Sequence, residues 1–155
     1  IDLAEETEAA LAQDRVYYER QGFDIRVKLE AGLYALADSR QWQLVVKNLV
    51  ENAVKYSGEA RVVEVTLARS GGRAKLEVTD FGIGIEHAEL KRVFDSFYRI
   101  GNEDTRSTQG TGLGLFLVRA IVKSFKGTVM AASSGLGRGA IFTVELPLIK
   151  DAGNA

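Results

Sequence analysis

The chain has 155 residues, of which 46% are apolar and 26% charged, and its 20 basic and 21 acidic side chains give a formal net charge of -1. A chain of this size buries one ordinary globular core, and interspersed charges of both signs leave no electrostatic footprint for nucleic acid or a lipid surface. Cysteine is absent and histidine occurs once, which removes disulfides and cysteine nucleophiles and argues against a zinc site built from protein ligands alone.

No apolar run is long enough to cross a bilayer, and no signal-peptide pattern is present. The sequence opens inside a helical pattern without an initiating methionine, as expected of a segment of a longer protein. From Leu3 to about Arg20, Leu3, Thr7, Ala10, Leu11, Asp14 and Val16–Tyr17 predict a modestly amphipathic helix closed by Gly22. Phe23, Ile25, Val27 and Leu29 alternate with polar residues and predict a half-buried strand. A second short strand is expected over Leu33–Ala37. Asp38 and Ser39 supply cap chemistry for a helix that Ser57–Gly58 stop.

That helix carries the least ordinary stretch of the chain, N-L-V-E-N-A-V-K-Y-S from Asn48 to Ser57. At about 100° per residue, Asn48, Asn52 and Lys55 share one stripe with Tyr56 at its edge. Trp42, Val45, Val46, Leu49, Val50 and Ala53 form the adjoining apolar face. Asparagine competes for backbone hydrogen bonds and is a poor interior helix residue, so two of them beside the core call for a polar ligand or else a solvated flank.

Val62–Arg69 and Ala74–Thr79 alternate on either side of Ser70-Gly71-Gly72, a hairpin signal. The second run leads into D-F-G-I-G-I at 80–85. Glu86–Phe94 reads as a short helix, and 95–109 is polar without a period, which in a compact domain marks a functional or mobile loop. Gly110–Gly114 opens an apolar helix ending near Gly127. Thr128–Ser133 and Ala140–Leu146 are the last strands, joined by glycine-rich 135–139. Strands, hairpins and three substantial helices indicate an α+β two-layer sandwich.

Glycines cluster as Gly82/Gly84, Gly110/Gly112/Gly114 and Gly137/Gly139, each beside a strand or helix end, where bare backbone can approach a ligand and donate N–H groups. The second cluster precedes a helix and is a natural phosphate seat. Neither the P-loop nor the dinucleotide fingerprint is present, so the site is nucleotide-like but of another architecture.

These motifs resemble the catalytic, ATP-binding domain of bacterial sensor histidine kinases (HATPase_c), within the wider GHKL group that shares the Bergerat ATP-binding fold. Asn48–Ser57 looks like the N-box, D-F-G-I-G-I at 80–85 the first glycine box, and F-D-S-F-Y-R at 94–99 the F-box. G-T-G-L-G-L at 110–115 looks like the second glycine box and G-R-G-A-I-F-T-V-E-L-P at 137–147 the terminal box. The resemblance implies a mixed, mainly antiparallel sheet of about five strands on three helices, with residues 1–150 as one domain and 151–155 as a tail.

For the site, the resemblance implies that Asn52 coordinates the Mg2+ bridging the ATP phosphates, an amide oxygen suiting that hard cation. Asn48 would contact phosphate or the metal's water shell, Lys55 would neutralise phosphate charge, and Tyr56 would pack on the adenine face. Asp80 would accept from the adenine amino group, with Gly82 and Gly84 letting the ring sit against the backbone. Gly110, Gly112 and Gly114 would wrap the phosphates, with Thr111 and Leu115 of the same run also among the cofactor-binding candidates, and Ile85, Leu113 and Phe116 would help wall the pocket. Ile100–Gln109 resembles the ATP lid, with Arg99 and Arg106 as candidates for the γ-phosphate; Asn48, Lys55 and Arg99 are the catalytic candidates. Phe94 and Phe97 are expected in the core, as anchors of that lid or as partner contacts.

His87 does not match the family's phosphoacceptor motif, which lies on a separate dimerising helical hairpin, so the resemblance implies a partner domain carrying that histidine and, beyond it, a response regulator. It also implies a cytoplasmic domain without membrane contact of its own, in a parent anchored in the inner membrane. Related ATPases carry a glutamate base one turn before the metal-binding Asn; here Asn48 stands there, so rapid hydrolysis is not expected. The sequence departs from the family pattern at Glu86, Gln109 and Ala140. A nucleotide-sensing pseudokinase module and an anti-sigma-type serine kinase of the same fold are the alternatives.

Overall fold

A computed structural model describes residues 1–96, 98 and 114–150. Helix α1 (Leu3–Arg20) starts at Asp2, whose carboxylate accepts from Glu5 N. Its buried stripe is Leu3, Thr7, Ala10 and Leu11, which at helical spacing continues to Tyr18, itself packed on the core. Val16 and Tyr17 fall off that stripe and are exposed, so the apolar pattern of the sequence extends further than the face that packs.

Strand β1 (Asp24–Leu29) is followed by α2 (Ser39–Lys55), with Asp38 as N-cap accepting from Gln41 N at 2.9 Å. Helix α2 packs against α1, against β2 (Val62–Ser70) and β3 (Arg73–Asp80), and against α3 (Gly114–Ser124). It buries the six apolar residues read from the sequence, from Trp42 to Ala53. The Trp42 indole N–H donates to the Thr7 hydroxyl at 2.9 Å inside the core, pinning α2 to α1.

With β4 (Thr128–Ala132) and β5 (Ala140–Pro147), the strands form one sheet in the order β1-β2-β3-β5-β4. Only β1 and β2 are parallel; the other neighbours are antiparallel. One cross-strand row runs Ile25, Val63, Asp80, Ala140, and the next Val27, Val65, Val78, Phe142, Ala131. Both face the helices, so the period-2 alternation of β3 carries Asp80 into the layer between sheet and helices. The fold is the expected α+β sandwich, a five-stranded mixed sheet with three helices among the described residues. No helix among them is long and apolar enough to cross a membrane.

Two expected elements differ. Leu33–Ala37 is not a strand: Tyr34 makes an isolated bridge to Asp2, and the segment pairs with the start of α1 through Leu3 N to Leu33 O at 2.9 Å. Burial of Leu33 and Ala35 with Tyr34 and Leu36 less covered produces the strand-like alternation without a partner in the sheet. Glu86–Phe94 is not an α-helix but a 3-10 turn at His87–Glu89 continued by turns. Its bonds, such as Glu89 N to Glu86 O and Arg92 N to Glu89 O, both 2.9 Å, span three residues. The tighter winding still brings Val93 and Phe94 into the core, Phe94 edge-on to Phe142 with ring centroids 6.0 Å apart.

Candidate functional site

The last carbonyls of a helix have no partner inside it. At the end of α2, the carbonyl of Tyr56 instead accepts from Ile83 N at 3.0 Å, which ties the helix terminus to the turn after β3. The fit leaves no room for a side chain at residue 82. A Cβ there would lie 1.8 Å from Tyr56 O. On its other side the turn meets the β4–β5 connection: Gly137 N donates to Ile83 O at 2.8 Å and Gly139 N to Gly82 O at 3.2 Å. Gly84, at φ +74°, lies under the Gly135 carbonyl, which a Cβ would approach to 2.1 Å.

Between this turn, the end of α2 and the sheet opens a cleft lined by Asn52, Tyr56, Asp80, Gly84, Ile85, Ala140 and Phe142. It encloses about 210 Å³ including its open mouth. Its walls combine apolar side chains with a few polar groups, the composition of a site that holds a mostly apolar ring.

Asp80 is 3% exposed. Its Oδ1 accepts from Gly82 N at 3.0 Å, and the N–H of Ala140 is a second donor. Burial outweighs both bonds and pushes its pKa from 3.8 up to about 6. A buried acceptor facing a cleft whose other walls include Ile85 and Phe142 is a fixed point for a donor on a flat, mostly apolar ligand.

Asn52 lines the same cleft, and among the described residues its carboxamide has no hydrogen-bond partner. One turn earlier, the Asn48 amide donates to Leu44 O at 2.9 Å, the back-bond to residue i−4 that accommodates an asparagine within a helix. Its Oδ1 faces Gly114 at the start of α3, within 3.2 Å of where a Cβ would stand. The two asparagines therefore do different things. Asn48 meets the last glycine of the second cluster, whereas Asn52 and Tyr56 meet Asp80 across the cleft.

Lys55 is half-buried, pairs with Glu51 at 3.3 Å, and does not line the cleft. Leu115 packs against the core, and Phe116 is 40% exposed; neither is a lining residue. His87 is exposed. Arg99, Arg106, Gly110, Thr111, Gly112 and Leu113, together with Phe97, lie outside the described residues.

Sequence reasoning did not select Phe142 and Ala140 as site residues. Their signal was the alternation of β5, which puts both in phase with Val144 and Leu146 on the inner face. A metal cage of three or more His, Cys, Asp or Glu is absent among the described residues. An unpartnered amide oxygen beside a cleft fits Mg2+ that retains water and phosphate oxygens for most of its shell, and does not fit a cation held by protein alone.

Over residues 37–150 the chain matches the family described as histidine kinase-, DNA gyrase B-, and HSP90-like ATPase. The chain belongs to that family. Among relatives, sensor histidine kinase RppB of Synechocystis sp. is 35% identical over 126 residues, covering 81% of this chain and 28% of that protein. Sensor protein RstB of Escherichia coli K12 is 41% identical over 125 residues, covering 80% and 28%. The chain spans about a third or less of the length of these curated relatives. The structure of the mycobacterial sensor histidine kinase MprB is similar with a TM-score of 0.81 at 28% identity, covering 97% of both chains. Full-length ShkA in complex with AMPPNP gives a TM-score of 0.81 at 26% identity, covering 98% of this chain and 31% of that one.

Proposed function

We propose that residues 1–150 act as the ATP-binding catalytic domain of a sensor histidine kinase, which binds Mg-ATP and transfers its γ-phosphoryl group to a histidine on a separate dimerisation domain. The observation that carries this reading is the buried Asp80 carboxylate facing a cleft that it shares with Asn52 and Tyr56. Asp80 accepts from the adenine amino group, Ile85 and Phe142 wall the ring, and Tyr56 packs along it.

Asn52, one turn before Tyr56, offers its free amide oxygen on the phosphate side, and Asn48 faces the N-terminus of α3, where backbone N–H groups and the helix dipole favour anions. Mg2+, when bound, screens the charge on the transferring group. Asn48 is neutral and its amide is engaged with Leu44 O, so it does not take a proton from water. The nucleophile is supplied by the partner histidine, and the phosphoryl group passes from there to a response regulator. Lys55, Arg99, Arg106 and the glycines from 110 to 114 complete the phosphate contacts in this reading. The parent protein is membrane-anchored, with this domain on the cytoplasmic side. The similarity to named sensor histidine kinases and to ShkA, solved with AMPPNP, supports the assignment.

Titration calorimetry with ATP, with and without Mg2+, tests it together with phosphotransfer to a supplied helical hairpin. Asn52→Ala should remove the Mg2+ dependence of ATP affinity, and Asp80→Asn should weaken ATP by roughly 10–100-fold, as for a lost hydrogen bond to a charged group. Acid-labile phosphate on the hairpin is the expected product. Unchanged ATP affinity in both variants, or an acid-stable product, would overturn the reading.

A further inference from the structure

One hydroxyl outside the cleft holds together the two segments that shape it. Ser133, just past the end of β4, has its Oγ 3.0 Å from Ile85 N and 3.2 Å from Gly135 N, both donors, and 2.6 Å from the carbonyl of Gly139, an acceptor. A serine hydroxyl has one proton to donate and two lone pairs to accept with. The contact to Gly139 O takes the proton and the two N–H groups take the lone pairs. The carbonyl of Gly135, at 3.3 Å, is the longer alternative acceptor.

These partners are not incidental to the cleft. Ile85 and Gly84 line it, Gly135 covers Gly84, and Gly139 packs against the backbone of Asp80, where a Cβ would stand 2.1 Å from Asp80 O. The turn at 82–85 is held to the end of α2 by Ile83 N and to the β4–β5 connection by Gly137 N and Gly139 N. Ser133 supplies the one bond of this set that reaches the backbone of a cleft-lining apolar residue, Ile85. It also fixes the connection that carries the other two.

We propose that Ser133 is a positioning residue for base recognition: through Ile85 and Gly139 it sets the distance between the apolar wall of the cleft and the Asp80 carboxylate, and so sets the preference for adenine. It does not itself line the cleft. Its removal strands the N–H groups of Ile85 and Gly135 and frees the wall to move relative to Asp80.

This rests on the nucleotide reading above, and the experiment separates the two. ATP and GTP affinities are measured by calorimetry for the wild type, Ser133→Ala and Ser133→Thr, at a temperature where circular dichroism shows all three folded. Wild type should prefer ATP. In S133A the ATP-over-GTP ratio should fall about tenfold, the size of one lost net hydrogen bond, and S133T, which keeps the hydroxyl, should recover most of it. A serine that only stabilised the fold would lower the melting temperature and leave the ratio unchanged.

If wild type prefers ATP and S133A keeps the same ratio, this inference is overturned and the nucleotide reading stands. If wild type binds neither nucleotide, both fail. Hydrogen exchange in the wild type gives a check that needs no variant: the Ile85 amide should be protected like the strand amides of β3. Exchange as fast as in an open turn would remove the bond on which the proposal stands.

Discussion

Replacing Asp80 by Asn should stabilise the ligand-free protein at neutral pH. The carboxylate is 3% exposed, and its pKa stands at about 6 against an ordinary 3.8 because burial dominates the two backbone bonds from Gly82 and Ala140. The folded chain thus keeps this proton to higher pH than the unfolded chain does. Between the two values the unfolded state has released a proton that the folded state retains, so stability contributed at low pH is lost as pH rises, and the loss is complete above the folded value. At about 1.4 kcal/mol per pH unit, the ionised group costs the fold about 3 kcal/mol.

Asparagine keeps the shape and an oxygen for the Gly82 N–H but carries no charge, while its NH2 group needs an acceptor of its own. The expected gain is therefore about 1–3 kcal/mol above pH 7, shrinking toward zero near pH 4. Urea denaturation of both proteins across this range measures it. The difference curve isolates residue 80 because other shifted groups, such as Glu6 with its pKa lowered by bonds from Ser39 and Gln43, are common to both. In a domain of this length the gain corresponds to roughly 3–9 °C in Tm. An N variant that is less stable at neutral pH, or a difference that does not change with pH, would refute the reasoning.

Gly82→Ala places a methyl group 1.8 Å from the Tyr56 carbonyl, a main-chain atom that no rotamer change can clear, so the turn must move. A loss of about 3 kcal/mol is expected by thermal or chemical denaturation, with ATP binding impaired in whatever remains folded. Thr7→Val keeps the shape of a fully buried side chain but leaves the Trp42 indole N–H without its acceptor. It should cost about 1–3 kcal/mol in urea denaturation while ATP affinity at a temperature below the transition stays as in the wild type.

Much of this was readable from the residues. The alternation of Ala74, Leu76 and Val78 already puts Asp80 in phase with the inner face of β3, and the stripe of α2 from Trp42 to Ala53 is buried as its spacing requires. What misled was local pattern without a partner. Leu33–Ala37 alternates like a strand, yet it meets the start of α1 instead of a sheet edge, and sequence period carries no information about what lies alongside. Ser133 was invisible for the same reason. Its hydroxyl acts 48 residues away from Ile85, and its only local sign was a serine ahead of a glycine-rich run.

The glycines invite a sharper account than ligand approach alone. A Cβ at Gly82 would strike Tyr56 O, one at Gly84 would strike Gly135 O, and one at Gly139 would strike Asp80 O. In each case protein backbone, not ligand, fills the missing side chain's place. Three segments far apart in sequence, the end of α2, the turn after β3 and the β4–β5 connection, can interlock only because their contacts are made main chain to main chain. That interlock is what keeps a carboxylate buried that would be more stable neutral or solvated. The cost of about 3 kcal/mol at Asp80 is thus sustained by packing its neighbours at glycine distance. Loosening any one of the three contacts should relieve the carboxylate by letting water in, lowering its pKa and softening base recognition together.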